Sequence, residues 1–435
     1  MNARDFALIL LDKKRLPGWK PNLVREGKPS RPRDSRDWAL AEQIDSGVVK
    51  NLLLLREAIE HYSGKSLASI DPVVQKILAI ALYQMKFLDR VPASAAVDQA
   101  VEQTKRFGRR RAAGFVNAVL RNVERLPAPI IPDANADPEG FAQRVLSHPP
   151  ELFRRLAALL GNERALAFCR HDNSEPPTIL RLFKGVEPAT LIEEWKKLSD
   201  LPPIELLPHE SPGMLVVHGV RIGPILAHWA KLGLAQVQDP TAAAVVEKMR
   251  ITPGQRILDR CAGLGTKTMQ IRERTGPNGS VVAMDSATFR TDRLRQLLLD
   301  RGIANVQVIH GSKLSGLAEE LPNPFDRILI DVPCSNSGVL ARRPEARYRF
   351  EIDRLAKLQH EILNDTLPRL SPGGLLIYST CSVWPEENEL QIKEFLSRNP
   401  SFELADENTT LPSFDESAPE KYHDGGYVAV MRRAT

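Results

Sequence analysis

The chain has 435 residues, too many for one ordinary domain, of which 43% are hydrophobic and 26% charged. Its apolar runs are shorter than a membrane span needs, and Phe6-Ala7-Leu8-Ile9-Leu10-Leu11 is cut off at once by Asp12 and Lys13, so it reads as a core helix and not a secretion signal. Four cysteines without a Cys-x-x-Cys pair argue against a disulfide framework and a zinc site, and a net charge of +5 points weakly to a polyanionic partner.

Residues 1–127 read as helices throughout. Trp38, Ala41, Ile44, Val48, Val49, Leu52 and Leu55 form one apolar stripe at helical spacing. Val73, Val74, Ile77, Ile80, Ala81 and Met85 form the next, after the start signal Asp71-Pro72. Val97, Ala100, Val101 and Thr104 make a third, and Phe115, Val116, Val119, Leu120 and Val123 a last one. Such stripes predict an all-α bundle. Basic residues collect in two places: Lys13, Lys14, Arg15, Lys20, Arg25, Lys28, Arg31, Arg33 and Arg36, and then Lys105, Arg106, Arg109, Arg110 and Arg111. They read equally as solvated faces or as phosphate contacts.

Pro127, Pro129, Pro132 and Pro138 mark a break. Residues 128–235 are expected to be a linker and a small α/β subdomain with a helix at Ala189–Leu198. From 236 to 435 the pattern becomes short apolar runs alternating with helices: Arg256–Asp259, Ser280–Asp285, Val306–His310, Arg327–Asp331 and Leu375–Ser379. This predicts a doubly wound parallel sheet of Rossmann-like type, with ligands at the carboxyl ends of its strands.

Four strand ends carry chemistry. Asp259 leads into Arg260-Cys261-Ala262-Gly263-Leu264-Gly265-Thr266-Lys267-Thr268, where two glycines let the backbone approach a ligand and a helix begins near Thr268. The next strand stops at Asp285, placed either to accept ribose hydroxyls or to cap the following helix. No glycine pattern for a pyrophosphate is present, so an adenosine methyl donor fits better than a dinucleotide. Two further strands run into Asp331-Val332-Pro333-Cys334-Ser335-Asn336-Ser337-Gly338 and Ser379-Thr380-Cys381-Ser382. A cysteine is usually a small core residue. Two at neighbouring ligand-edge loops, among polar turn residues, instead suit nucleophilic attack by a thiolate on carbon 6 of a cytosine, which makes carbon 5 reactive. A carboxylate such as Asp331 can stabilise the shifting charge near ring nitrogen 3.

At these residues the chain resembles the RsmB/Sun branch of the Nop/Sun RNA 5-methylcytosine methyltransferases, over nearly its whole length. Asp331-Val332-Pro333-Cys334-Ser335 is similar to the family's Asp-Ala-Pro-Cys-Ser, and Ser379-Thr380-Cys381-Ser382, followed by Glu386-Glu387-Asn388-Glu389, to its Ser-Thr-Cys-Ser motif. Gln238-Asp239 and Asp424-Gly425-Gly426-Tyr427 also fit, although Gly426 stands where an aromatic residue is usual. Asp71-Pro72, Val91–Val97 and Phe115–Arg121 resemble a NusB-type RNA-binding domain, and Ser147-His148-Pro149 and Pro176–Arg181 the family's middle region.

The resemblance implies an all-α NusB-like N-terminal bundle, a small α/β middle subdomain and a C-terminal α/β class I (Rossmann-like) methyltransferase domain. It implies S-adenosyl-L-methionine as cofactor and small-subunit rRNA as partner, while the composition and charge lead us to expect a cytoplasmic monomer with neither metal nor membrane. Cys381 would attack the base, Cys334 would assist release and Asp331 would complete the catalytic set. Cofactor binding would fall to Cys261, Ala262, Gly263, Leu264, Gly265, Thr266, Lys267, Asp285, Arg290, Ser312 and Asp331. Besides Gly426, the chain departs from the family in three places. Gly263-Leu264-Gly265-Thr266 replaces Ala-Pro-Gly-Gly in the cofactor loop, Gly311-Ser312 replaces Gly-Asp, and Phe183 replaces a common Asn. These bear on cofactor affinity and leave two other readings open: a non-catalytic RNA-binding assembly factor, or the same reaction on tRNA or another rRNA position.

Overall fold

In a computed structural model, residues 2–14, 16–20, 35–198, 204–218, 223–312, 314, 324–414 and 418–435 are described. They form two compact units, Met1–Ser174 with Arg343–Arg349, and Glu175–Arg342 with Phe350–Thr435.

The first unit is helical: α1 (Ala3–Asp12), α2 (Ser35–Lys50), α3 (Leu52–Ser63), α4 (Pro72–Phe87), α5 (Ala93–Arg106), α6 (Ala113–Arg125), α7 (Pro138–Arg144), α8 (Pro150–Leu160) and α9 (Asn162–Asn173). The stripe expected from Trp38 to Leu55 is two helices. Asn51 breaks it, its backbone leaving helical geometry while its side-chain amide donates to Gly47 O at 2.9 Å. At α4 the start signal works as expected: Asp71 Oδ1 accepts from Val73 N and Val74 N, and Pro72 occupies a first-turn position whose amide needs no partner. The apolar faces of α1–α6 share one core, from Phe6 and Leu8 through Ile44, Leu55 and Ile77 to Val116 and Leu120. Residues 343–349 belong to this unit through Arg347. Its buried guanidinium donates to Asp172 O, Asn173 Oδ1 and Lys50 O. Beside it His148 is fully buried, and burial followed by the Arg347 charge holds its imidazole well below the usual range, hence neutral.

The expected basic clusters are partly self-neutralised. Lys14 pairs with Asp45 at 2.6 Å, Arg106 with Asp5 at 2.9 Å and Lys105 with Glu102 at 2.6 Å, while Arg110 and Arg111 are exposed. Arg15, Arg25, Lys28, Arg31 and Arg33 lie outside the described residues.

The second unit begins with β1 (Thr178–Leu182), α10 (Pro188–Lys196), β2 (Glu205–Pro208), β3 (Met214–His218), α11 (Gly223–Leu232) and β4 (Ala235–Val237). These strands form a four-stranded antiparallel sheet in the order β2-β3-β1-β4. Then follow α12 (Pro240–Lys248), β5 (Arg256–Asp259), α13 (Thr266–Thr275), β6 (Ser280–Asp285), α14 (Thr288–Asp300), β7 (Val306–His310) and β8 (Phe325–Asp331). The chain closes with α15 (Ile352–Thr366), β9 (Leu370–Thr380), α16 (Glu389–Arg398), β10 (Phe402–Thr410) and β11 (Gly426–Arg433).

Their sheet has seven strands in the order β10-β11-β9-β8-β5-β6-β7. The five predicted strands are its parallel part. The sheet as a whole is mixed and not purely parallel, because β11 and β10 add an antiparallel edge beside β9. β10 carries no apolar alternation, being an exposed edge, so its sequence gives no strand signal. Phe183 has its own reason. Its ring takes the guanidinium groups of Arg181 at 4.9 Å and Arg301 at 4.4 Å.

The order of strands reverses between β5 and β8. The carboxyl ends of the strands at that switch point are the place where such sheets bind ligands.

Candidate active site

Around the switch point, β5 delivers the loop starting at Arg260, β6 delivers Asp285, β8 delivers Asp331, and β9 runs directly into Cys381.

The altered cofactor loop still makes a tight turn. Gly263 (φ 58°) and Gly265 (φ 88°) both take left-handed backbone, and a Cβ on Gly265 would collide with Leu294 Cδ1. Gly263 N donates to Asp285 Oδ2 at 2.9 Å, and Ala287 N donates to Asp285 Oδ1 at 2.8 Å, so Asp285 ties the loop to the end of β6. α13 starts at Thr266 with no side-chain cap, which leaves its first amides available to an anion. Asp259 lies under the turn. Its Oδ2 accepts from Thr268 Oγ1 at 2.6 Å, Oδ1 has no hydrogen-bond partner, and burial pushes the carboxyl up to about 7. A buried carboxylate oxygen without a donor, beside an uncapped helix start and a glycine turn, fits the amino and carboxyl ends of an amino-acid-bearing adenosine.

The remaining predicted cofactor residues scatter. Ala262 N donates to Met284 O at 2.9 Å, Leu264 is exposed, and Arg290 reaches Asp285 only at 3.5 Å with its side chain half exposed. Ser312 is exposed and gives its carbonyl to Arg260 Nη2 at 2.6 Å. Arg260 is held in turn by Asp365 at 3.0 Å. Lys267, also expected to bind the cofactor, reaches Asp331, which was expected in both sets: its Nζ donates to Asp331 Oδ2 at 2.7 Å. Burial opposes that ammonium, but the Asp331 carboxylate outweighs it and holds the group above its ordinary value.

Asp331 Oδ1 accepts from Ser379 Oγ at 2.7 Å, so the carboxylate is fixed by the neighbouring strand as well. Cys334 and Cys381 stand together, with 3.1 Å between sulfurs. Cys334 is buried, and the adjacent Cys381 sulfur followed by burial holds its thiol well above the usual range. Cys381 is the more open of the pair, and its thiol donates to Asn336 Oδ1 at 3.4 Å. Asn336 has left-handed backbone (φ 61°), and its amide donates to Cys334 O at 2.9 Å. The other two cysteines are set apart by packing. Burial pushes Cys261 up to about 12, and Cys169 is fully buried in the helical unit with its thiol raised by the same cause.

Several features of this site lie in the quoted motifs but were given no role from the sequence. Asn336 and Ser379 are two. Another is the close approach of Gly338 to Gly425, where the Gly425 amide donates to Gly338 O at 2.7 Å and a Cβ on Gly338 would lie 2.7 Å from Gly425 C. Gly426 packs as tightly, since a Cβ there would sit 2.8 Å from Thr380 O, one residue before Cys381.

Residues 246–431 match the family described as 16S rRNA methyltransferase RsmB/F, and residues 1–125 match the NusB family. The chain is 33% identical to ribosomal RNA small subunit methyltransferase B of Vibrio cholerae, over 92% of this chain and 90% of that protein. This chain belongs to the RsmB/F family of rRNA methyltransferases. It is also 30% identical to the probable ribosomal RNA small subunit methyltransferase B of Bacillus subtilis, over 92% of this chain and 90% of that one. Among solved structures, PH0851 shares the fold at a TM-score of 0.76 and 21% identity, over all of this chain and 99% of the other. A methyltransferase homolog protein from Pyrococcus horikoshii aligns at a TM-score of 0.53 and 25% identity, over 67% of this chain and 97% of that one. Membership brings S-adenosylmethionine as methyl donor, which the Asp259, Gly263–Thr266 and Asp285 cradle fits.

Proposed function

We propose that this chain methylates carbon 5 of a cytosine in small-subunit rRNA through a transient bond between Cys381 and carbon 6. The observation that carries the reading is the pairing of the two sulfurs at 3.1 Å, beside an Asp331 carboxylate fixed by Lys267 and Ser379.

Bound at the β5–β6 edge, S-adenosylmethionine would supply an electrophilic methyl group. Holding it falls to Asp285, the Gly263–Thr266 turn and Asp259. Cys381, the more open thiol, adds to carbon 6 as thiolate and drives electron density toward carbon 5. Asp331 takes the base edge carrying nitrogen 3 and the amino group, and Lys267 keeps that carboxylate aimed. Release requires the carbon 5 proton to leave and the carbon 6–sulfur bond to break. Solvent water takes the carbon 5 proton, and the pair of that carbon–hydrogen bond restores the ring double bond; Cys334, held as a thiol, gives its proton to the departing Cys381 sulfur and regains one from solvent. On this reading the protein acts as a cytoplasmic monomer, with Arg110 and Arg111 on the helical unit available to phosphates.

Two substitutions test it. Cys381→Ser abolishes methylation of 16S rRNA, whereas Cys334→Ala accumulates a protein–RNA adduct that survives denaturing electrophoresis. Full activity of Cys381→Ser, or no adduct with Cys334→Ala, overturns the assignment.

A further inference from the structure

Beneath the two cysteine loops lies a buried carboxylate outside the proposed catalytic set. Glu387 follows β9 by a short turn and is fully buried. Ser335 N donates to its Oε1 at 2.9 Å, Gln359 Nε2 donates to the same oxygen at 3.0 Å, and Ser382 Oγ donates to Oε2 at 2.5 Å. Ser335 directly follows Cys334, and Ser382 directly follows Cys381. The remaining hydroxyls close the cluster. Ser382 Oγ lies 3.0 Å from Ser337 Oγ and 3.2 Å from Ser335 Oγ, and Val383 N donates to Ser337 Oγ at 2.9 Å. Gln359 also donates to Pro333 O at 3.0 Å, on the other side of Cys334.

We infer, resting on the function proposed above, that Glu387 is a positioning residue for the two-thiol chemistry, its carboxylate fixing the Cys334–Cys381 separation by holding the residue that follows each cysteine. The two loops leave different strands, and their backbones are joined by Val332 N to Ser379 O at 3.1 Å at the strand ends and by Gly338 N to Cys381 O at 2.9 Å beyond them. A buried acceptor with two oxygens, each holding one loop, converts two independent turns into one rigid part. Misplacement by about 1 Å costs roughly 100-fold in rate for groups that must meet in a transition state. The charge has a second effect, because it lies close enough to Cys334 to penalise a thiolate there and so keeps the proton that release consumes.

The test uses the full chain with Glu387→Gln and Glu387→Ala, each checked by thermal melting. Two readouts are taken. The first is kcat, KM and the pH profile on protein-free 16S rRNA. The second needs no methylation: the rate at which diamide forms the Cys334–Cys381 disulfide, followed by alkylation and mass spectrometry. In that reaction each thiol loses a proton and an electron, the sulfurs join, and the diazene becomes the hydrazine. Glu387→Ala should slow disulfide formation and lower kcat by ~10–100-fold with KM little changed. Glu387→Gln, which keeps the shape and removes the charge, should recover much of both rates. Its alkaline limb should move to lower pH, since Cys334 loses a neighbouring negative charge. A folded Glu387→Ala that forms the disulfide and methylates at wild-type rates overturns the inference. If Glu387→Ala does not fold, a Glu387→Gln with wild-type rates and an unmoved alkaline limb does the same. Should Cys381→Ser retain methylation, the functional reading fails instead, and the diamide rates still decide the positioning role.

Discussion

The Lys267 ammonium is the cation that the Asp331 carboxylate faces, and Cys381 lies within its electrostatic reach. A thiolate and a carboxylate on one small edge repel each other, and a half-buried ammonium bonded to the carboxylate relieves that repulsion. Lys267→Met keeps the length of the side chain and removes the charge. We expect kcat to fall by roughly 10²-fold, with a matching drop in adduct yield in a Cys334→Ala background, while S-adenosylmethionine affinity measured by calorimetry changes little. A large loss of cofactor affinity with normal kcat at saturation would return Lys267 to the cofactor side.

The end of β5 combines rigidity with an electrostatic cost. Asp259 is pushed up to about 7 by burial, and Asp424, near the start of β11, also to about 7 by burial and then by Asp239. Both folded values lie above the ordinary 3.8, so the folded state binds these protons more tightly than the unfolded chain. Their contribution to stability is therefore full below about pH 4 and is lost as pH rises through about 7. Asp259→Asn still accepts from Thr268 Oγ1 and cannot ionise. Its melting temperature should decline less than that of the wild type between pH 5.5 and 8.5, by roughly 1 kcal/mol or more in stability at the alkaline end. Parallel melting curves for the two proteins would reject this.

At the scale of the whole chain, the division into units does not follow a single cut. Residues 343–349 belong with the helical unit, where Arg347 is buried among Asp172, Asn173 and Lys50. A chain trimmed to residues 175–435 retains that segment but none of those partners, exposing a guanidinium site built for carbonyls and leaving a loop without its packing. It should melt lower than the full chain and aggregate on size exclusion, and replacing 343–349 by a Gly-Ser linker should improve its behaviour. An untouched 175–435 chain as stable as the intact protein would show that the segment contributes nothing.

Local pattern alone was enough for much of this protein. The helical first unit, the five parallel strands and the strand-end positions of Cys334, Cys381, Asp331 and Asp285 all follow from hydrophobic period and turn residues, which act over a few neighbouring positions. Tertiary structure decided what depends on partners far apart in the chain. The polar edge strand β10, the placement of 343–349, the turn of Lys267 toward Asp331 and the Glu387 cluster each rest on such partners. The physical reason is range: a strand in a buried sheet is written in its own alternation, whereas an edge strand, an ion pair or a buried carboxylate is stable only through groups that folding brings to it.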